Sequence, residues 1–288
     1  MLWPRTRRRH VDAEQSQRLT EVRRAHPESE NWLALLETAW DEAGGGSAWD
    51  DAAPEPAPRP PDAPLLHGAQ ITVDGRRARA LVTRLAELAP TNGTDLRGVD
   101  AVALIEAAVR QDDEQIDRLA PGGTPSLRVV AQLAALPLLQ ACGRKLQGEL
   151  SAAWWEGYCP VCGAWPTLAE FRGLERKRWL RCGRCATAWE TAWLRCPFCD
   201  ETDHEHLGYL APEGGETTRK VEVCDSCKGY VKAEPTVQPL AWWRVLLDDA
   251  ETVPLDVAAL DRGYHRPERP GYALDVRVTA RKKTFWAP

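Results

Sequence analysis

The apolar positions in the first half of the chain recur at the spacing of helix faces. Between about residues 12 and 43 they predict two helices that Pro27 separates, with Ser29 as the N-cap of the second helix. A second helical block is predicted from about residue 78 to residue 150. Its last stretch, residues 127–150, is so densely apolar that we expect a central and largely buried helix there.

A stretch rich in proline lies between these two helical blocks. Six of the 11 residues from Pro54 to Pro64 are prolines, which lack a backbone donor and favour an extended, polyproline-like chain. Two interpretations of residues 44–68 stay open. The stretch is either a linker or an ordered arm that lies on the helical domain.

The hydrophobic pattern changes after residue 153. From Trp154 to Tyr230 the helical period is weak, and tryptophan, glycine and paired cysteines take its place. Beyond residue 239 two further short helices are predicted, at about residues 240–247 and 254–262. No window of 18 consecutive apolar residues occurs, so we expect no membrane insertion.

Eight of the nine cysteines form four Cys-x-x-Cys pairs, and the ninth, Cys142, lies in the dense apolar stretch as an expected core thiol. The loops between successive pairs contain 19, 10 and 24 residues. The two longer loops fit hairpins, so the pairs are predicted to combine consecutively. An interleaved, cross-braced arrangement is the alternative. The two predicted sets of metal ligands are Cys159, Cys162, Cys182 and Cys185, and Cys196, Cys199, Cys224 and Cys227.

Four thiolates can hold zinc, a single iron ion or an iron–sulfur cluster, and the ligands alone do not choose among them. The expected cofactor is one ion per set, iron or zinc. A closed set of four thiolates leaves no position for a reacting water, and the common nucleotide-binding, zinc-protease and serine-hydrolase motifs are absent. The sequence therefore predicts no catalytic residues and no enzyme. Dithiol redox catalysis is a weaker alternative, since no βαβ pattern surrounds the pairs.

Two other residue types near the cysteines could take part in a site. His204 and His206 flank the second set, which already has four ligands, so we expect solvated loop histidines. The first cysteine-rich segment contains four tryptophans that we expect to lie mostly in its core: Trp165, Trp179, Trp189 and Trp193.

The distribution of charge bears on the class of partner. The formal net charge is −5, which argues against a generally basic nucleic-acid-binding protein. The first cysteine-rich segment carries an excess of basic residues and the second an excess of acidic residues, which fits a protein partner better than a nucleic acid. A nucleic-acid-binding zinc ribbon stays as the alternative. The Arg-rich, polar start has no apolar core of a secretory signal, which predicts a cytoplasmic protein.

Together these patterns predict an α+β fold. It consists of an N-terminal all-helical domain, two small tandem rubredoxin-like or zinc-ribbon modules, and a short helical tail. The expected segments are 1–43 (N-terminal helices), 44–68 (linker or arm), 69–153 (helical domain), 154–195 (first module), 196–238 (second module) and 239–288 (helical tail).

The sequence around the cysteines resembles a known family. The motifs are Tyr158-Cys-Pro-Val-Cys-Gly163, Arg178-Trp-Leu-Arg-Cys-Gly-Arg-Cys185, Cys196-Pro-Phe-Cys199 and Glu222-Val-Cys-Asp-Ser-Cys-Lys-Gly-Tyr-Val-Lys232. With Leu260-Asp-Arg-Gly-Tyr264 downstream, they resemble the formate dehydrogenase accessory proteins of the FdhE type. The match covers about Trp154 to Tyr264, and the helical half carries no diagnostic motif.

The resemblance implies a cytoplasmic helper with no enzymatic activity of its own. Such proteins act on the catalytic subunit of respiratory formate dehydrogenases, which contains molybdenum and selenium, before export by the twin-arginine route. The eight paired cysteines correspond to the family's metal ligands, and iron is the metal that the family suggests. A rubredoxin-like redox protein that acts on a client is a further alternative, and it is compatible with the helper role.

Overall fold

The computed structural model describes residues 5–44, 48–89, 98–119, 125–212 and 219–281. Within these residues it confirms the α+β class, with eight α-helices and eight β-strands. The helices are α1 (Arg5–Ala25), α2 (Glu30–Ala43), α3 (Gly75–Leu88), α4 (Ala101–Arg110), α5 (Asp113–Leu119), α6 (Pro125–Leu146), α7 (Arg244–Glu251) and α8 (Val253–Leu260). The strands are β1 (Gln70–Val73), β2 (Leu168–Arg172), β3 (Lys177–Arg181), β4 (Ala188–Glu190), β5 (Leu207–Leu210), β6 (Lys220–Cys224), β7 (Tyr230–Thr236) and β8 (Arg277–Ala280).

The chain divides into two compact units, each built from two separate stretches of sequence. The unit that we call the sheet unit combines Met1–Ala34 with Pro166–Glu268. The second, the helical unit, combines Leu35–Trp165 with Arg269–Pro288. The boundaries of the six segments expected from the sequence stay a prediction.

Helix α6 forms the centre of the helical unit and contacts α3, α4 and α5. As expected, it is largely buried. Leu138 and Cys142 are fully enclosed, and burial raises the pKa of the Cys142 thiol to about 12. Helices α3 and α4 each follow an aspartate, Asp74 and Asp100, whose carboxylate accepts hydrogen bonds from two backbone N–H groups of the first turn.

By length and composition, the stretch Ser126–Glu149, which contains most of α6, could cross a membrane. However, 78% of its apolar window is buried inside the protein. The apolar side chains are therefore already used for packing, as in the core helix of a globular unit.

The proline-rich stretch packs within the helical unit as an ordered segment. Trp49 is buried, and the backbone N–H groups of Leu65 and Leu66 donate to the carbonyl oxygens of Pro160 and Val161 at 2.7 and 3.1 Å. These bonds fix the segment against the loop that contains the first cysteine pair.

A two-stranded parallel pair connects the ends of the helical unit. Strand β8 from the C-terminal stretch pairs with β1, with Val278 opposite Ile71. The sequence pattern of the tail does not predict β8, because its residues alternate weakly and its partner strand β1 (Gln70–Val73) lies far earlier in the sequence.

The sheet unit contains one six-stranded sheet in the order β4-β3-β2-β7-β6-β5. Strands β2, β3 and β4 form one antiparallel meander, and β5, β6 and β7 form another. The meanders join through the parallel pair β2–β7, in which Leu168 lies opposite Lys232. The two predicted modules therefore share one continuous sheet.

The two faces of this sheet are covered differently. On one face, α8 packs against β6 through Ala259 and Val221. The segment 191–195, which connects the two meanders, runs over the opposite face. There Trp193 lies edge-on to Phe171, with the ring centroids 6.2 Å apart.

Arg178 ties this connecting segment to both meanders. Its guanidinium, which is 2% exposed, extends from β3 and donates to the carbonyl oxygens of Ala192 and Arg195, both at 3.2 Å. The same group forms an ion pair with Glu222 of β6, with N···O distances of 3.0 and 2.8 Å. One side chain therefore fixes β3, β6 and the connection between them.

We expect Arg178→Ala to lower the free energy of unfolding by about 3–5 kcal/mol, because the half-buried Glu222 loses its close partner and keeps only the more distant Lys220, at 3.9 Å. Lys177→Ala is the matched control. The side chain of Lys177 is exposed, and its loss should change the free energy of unfolding by less than about 0.5 kcal/mol. Urea unfolding followed by tryptophan fluorescence measures both variants, and equal stability would contradict the role given to Arg178.

Candidate metal centres

The four Cys-x-x-Cys pairs fold into the same tight turn. In each turn, the backbone N–H of the first cysteine donates to the carbonyl oxygen of the residue five positions later, at 2.8 to 3.0 Å. The donor and acceptor residues are Cys159 and Ala164, Cys182 and Thr187, Cys196 and Glu201, and Cys224 and Gly229. The turn therefore holds both thiols of a pair on one closed loop.

Each turn depends on one residue with a left-handed backbone. The residue after the second cysteine has a positive φ in all four turns: 70° at Gly163, 61° at Ala186, 63° at Asp200 and 57° at Lys228. This conformation is free of steric cost for glycine, but it costs about 1 kcal/mol for other residues. At Gly163 a Cβ would also lie 3.0 Å from the carbonyl oxygen of Tyr272.

The structure brings the eight paired cysteines into two groups. Within each group the four Sγ atoms all lie within 4.8 Å of one another, and each group could hold one metal ion. The consecutive pairs combine, and these cysteines are not interleaved. The first group contains Cys159, Cys162, Cys182 and Cys185, and the second contains Cys196, Cys199, Cys224 and Cys227.

Distances between sulfur atoms in the second group fit a tetrahedral metal site. Cys196 Sγ lies 3.6 Å from Cys227 Sγ, and Cys199 Sγ lies 3.7 Å from Cys224 Sγ. Four sulfurs that each lie about 2.3 Å from one zinc ion would be about 3.8 Å apart, whereas a disulfide bond measures about 2.05 Å. The spacing is therefore that of four ligands around one ion and is too long for disulfides.

Backbone N–H groups point at sulfur atoms in three of the turns. The N–H of Arg184 lies 3.4 Å from Cys182 Sγ, that of Phe198 lies 3.4 Å from Cys196 Sγ, and that of Gly229 lies 3.3 Å from Cys227 Sγ. Such donors stabilise a thiolate and so favour metal binding. Gly229 is required sterically, because a Cβ there would lie 2.5 Å from the Phe198 ring.

The thiols of the second group differ in acidity. Burial raises the pKa of the Cys196 thiol, and it raises the pKa of Cys227 to about 11. Burial acts in the same direction on Cys224, but hydrogen bonds from the backbone of Cys227 and Ser226 hold its pKa below the usual value of a thiol. A metal ion binds all four groups as thiolates, so metal loading releases protons and depends on pH.

The two groups differ in their access to solvent. All four cysteines of the first group are buried. In the second group Cys199 is exposed and Cys227 is half-buried. The second group is therefore the one that a reagent or a partner can reach directly.

The histidines beside the second group make other contacts. The carboxylate of Glu201 accepts a hydrogen bond from Ser226 Oγ at 2.5 Å and lies 3.2 Å from His206 Nδ1. The Ser226 hydroxyl and the backbone around Asp203 lower the pKa of Glu201 to about 2. The side chain of His204 is 78% exposed. Both histidines are loop residues, as expected, and neither belongs to a cysteine group.

Some of the basic side chains of the first module are buried and form ion pairs within the protein. Arg181, with 5% of its side chain exposed, donates to the carboxylate of Glu170 at 2.9 Å and to the carbonyl oxygen of Leu240 at 3.0 Å. The buried Arg195 pairs with Asp200 at 2.6 Å. Together with Arg178, these side chains hold the sheet together and do not form a free basic surface.

The four tryptophans of the first module do not share one environment. Trp189 is buried, and Trp165 and Trp179 are half-buried. Trp193 is 65% exposed. Trp189 therefore has the expected core position, Trp165 and Trp179 are only partly enclosed, and Trp193 lies at the surface.

The sheet topology places one cysteine turn from each group at the same end of the sheet. The turn at Cys182–Cys185 follows β3, and the turn at Cys224–Cys227 connects β6 to β7. Because β7 runs parallel to β2, and β3 runs antiparallel to it, the end of β3 and the start of β7 lie at the same end of the sheet. Three strand spacings separate β3 from β6, or about 15 Å.

Comparison of the sequence with known proteins finds similarity to FdhE homologues. No protein-family model matches the chain. The FdhE homologue of Rhizobium meliloti is 30% identical over 185 residues, which cover 58% of each chain. The FdhE homologue of Stutzerimonas stutzeri is 33% identical over 170 residues, which cover 58% of this chain and 51% of the relative. The resemblance to the FdhE family is confirmed. The aligned regions span little more than half the length of these FdhE homologues.

A solved structure shows the same fold. The crystal structure of the FdhE protein from Pseudomonas aeruginosa superposes with a TM-score of 0.56 at 23% identity. The superposition covers 90% of this chain and 94% of that chain. The fold likeness therefore extends into the helical half, where the sequence carries no diagnostic motif.

We expect Gly163→Ala to lower the free energy of unfolding by at least about 1 kcal/mol, because alanine is strained at this φ and its Cβ would press on Tyr272. Ala186→Gly makes the reverse exchange at the equivalent position of another turn. It should leave the free energy of unfolding unchanged or raise it by up to about 1 kcal/mol. Thermal unfolding of both metal-loaded variants tests this, and shifts of the same sign and size would show that the left-handed residue does not matter.

Proposed function

We propose that this protein is a cytoplasmic accessory factor for a respiratory formate dehydrogenase. It acts on the catalytic subunit during assembly or activation, before that subunit is exported by the twin-arginine route. One observation supports the proposal: the chain forms two groups of four cysteines and is similar in sequence to FdhE homologues.

The eight paired cysteines act as metal ligands in this proposal, with one iron or zinc ion in each group. Iron is favoured by the family resemblance. The short strands and turns around the groups contain little apolar core of their own, so the free energy of metal binding becomes free energy of folding. Each metal thereby fixes the loops that meet the partner.

A binding role fits the closed groups better than catalysis does. Four protein ligands leave no position on the metal for a water or a substrate. The chain then contributes a shaped surface and acts as a helper protein without an enzymatic activity of its own. The sulfur atoms of the second group lie at the edge of that surface, since Cys199 is exposed.

Several basic residues are buried in ion pairs within the protein, which favours a protein partner over a nucleic acid. Binding to a nucleic acid requires lysine or arginine side chains that are free to contact phosphates. Arg178, Arg181 and Arg195 are buried, and each forms an ion pair within the sheet unit.

We expect the double substitution Cys224→Ser with Cys227→Ser to remove one of two metal ions per chain and to abolish capture of the catalytic subunit. The remaining two thiols cannot hold the ion, and the loops of the second module lose their order. Metal is counted by mass spectrometry of the purified protein. The captured subunit is identified after anaerobic affinity purification from the native host.

Cys142→Ala is the matched control, because it removes a thiol that belongs to neither group. It should keep two metal ions per chain and the captured subunit. An unchanged metal count in the double variant would refute the ligand assignment. A folded, metal-loaded wild-type protein that retains only nucleic acid would refute the helper role and favour the nucleic-acid-binding ribbon.

A further inference from the structure

A groove of about 210 Å³ lies on the sheet face that the connecting segment crosses. One wall is the segment 193–198, which leads into the first cysteine turn of the second group. The floor and the other wall are formed by β5 and β6. Cys196 and Cys224 line the groove, so it begins at the second group of cysteines.

Three exposed apolar side chains border this one groove. Trp193 is 65% exposed, Leu194 is 55% exposed and Tyr209 is 66% exposed. Single exposed apolar residues are common on protein surfaces, but a cluster with two aromatic rings is typical of the anchor positions of an interface.

The groove runs beside an edge of the sheet. Strand β5 is the last strand in the order and pairs only with β6 among the strands that the structure describes. Half of the backbone N–H and C=O groups of an edge strand point away from the sheet and can pair with an added strand. An extended chain could therefore bind along β5 and place alternate side chains in the groove.

The charges in the groove select the chemistry of such a chain. The ammonium group of Lys220 lies 5.1 Å from the centre of the Tyr209 ring and 4.8 Å from that of Phe171. Arg178 and Arg195 also line the groove, but both are buried and paired, Arg178 with Glu222 and Arg195 with Asp200. With Glu222 and Asp200 each balanced by an arginine, Lys220, whose ammonium group also lies 3.9 Å from Glu222, leaves the groove with one net positive charge, which favours a ligand with negative charge.

We infer that this groove binds an extended acidic segment of the partner protein. The segment adds to the edge of β5, places an aromatic or long aliphatic side chain between Trp193 and Tyr209, and places a carboxylate near Lys220. The inference rests on the proposed function, in which the partner is the catalytic subunit of formate dehydrogenase. It adds the binding surface and the kind of sequence that the surface recognises.

The test uses the full-length, metal-loaded protein and the purified catalytic subunit from the same host. Wild-type protein is first shown to bind the subunit, with the dissociation constant measured by biolayer interferometry. Lys220→Glu should then weaken binding at least tenfold, and Tyr209→Lys should do the same. Leu174→Asp is the matched control, since Leu174 is fully exposed and lies outside the groove. It should change the dissociation constant less than twofold.

Photocrosslinking identifies the segment itself. The crosslinker p-benzoylphenylalanine replaces Tyr209 in one variant and Leu174 in another, and the crosslinked peptides of the subunit are sequenced by mass spectrometry. We expect crosslinks from position 209 to one segment that carries an apolar residue within two positions of an aspartate or glutamate. Crosslinks from position 174 should be absent or scattered.

The outcomes distinguish a failure of the groove inference from a failure of the proposed function. If wild-type protein binds the subunit and the groove variants bind equally well, the groove is refuted while the proposed function stands. If position 209 crosslinks to a basic segment, the charge argument is refuted. If wild-type protein with two metal ions does not bind the subunit at all, the proposed function is refuted and the groove inference with it. Metal counts and circular dichroism of each variant show that a loss of binding does not come from unfolding.

Discussion

The parallel pairing of β2 with β7 is the interaction on which the arrangement of this protein depends. Each meander alone is a three-stranded ribbon that contains one cysteine turn between two of its strands, and a ribbon of this size has little apolar surface to bury. Pairing along Leu168 and Lys232 turns two ribbons into one six-stranded sheet. The parallel direction of the pair has a further consequence. It places the turn after β3 and the turn before β7 at the same end of the sheet, so that one side of the unit presents cysteines from both groups.

Buried ion pairs fix β7 to the helices beside it and β3 to β6 across this junction. The ammonium group of Lys232, which is 2% exposed, donates to the carboxylates of Asp249 and Asp256 at 2.8 and 2.6 Å. Arg178 spans β3 and β6 in the same way through Glu222. Buried ion pairs add little net stability compared with apolar packing, but a broken pair is costly. Such pairs therefore disfavour shifted registers, which would separate each charge from its partner. A fixed register is what a surface composed from two modules needs if it is to recognise one partner.

The sequence predicts the parts of this protein that depend on local spacing. The intervals between cysteine pairs predict both groups, and the apolar run around Cys142 predicts the buried helix α6. The junction is not predictable in this way, because Leu168 and Lys232 are distant in sequence and a lysine is ordinarily a surface residue. Four residues in the cysteine turns have a positive φ, and the sequence points to this conformation only at Gly163, because glycine adopts it without steric cost. The residue types at Ala186, Asp200 and Lys228 do not predict it. The exposure of Trp193 follows from the path of the connecting segment, which only the folded sheet defines.

The cysteines form two separate groups of four, and one pair from each group lies at the same end of the sheet. Anomalous X-ray diffraction from crystals of the protein, recorded on both sides of the absorption edge of the bound metal, tests this arrangement directly. We expect two anomalous peaks per chain, each surrounded by four sulfur atoms at about 2.3 Å, with the peaks roughly 15–20 Å apart. A single peak per chain, a peak that joins cysteines from both groups, or disulfides in place of either centre would contradict it.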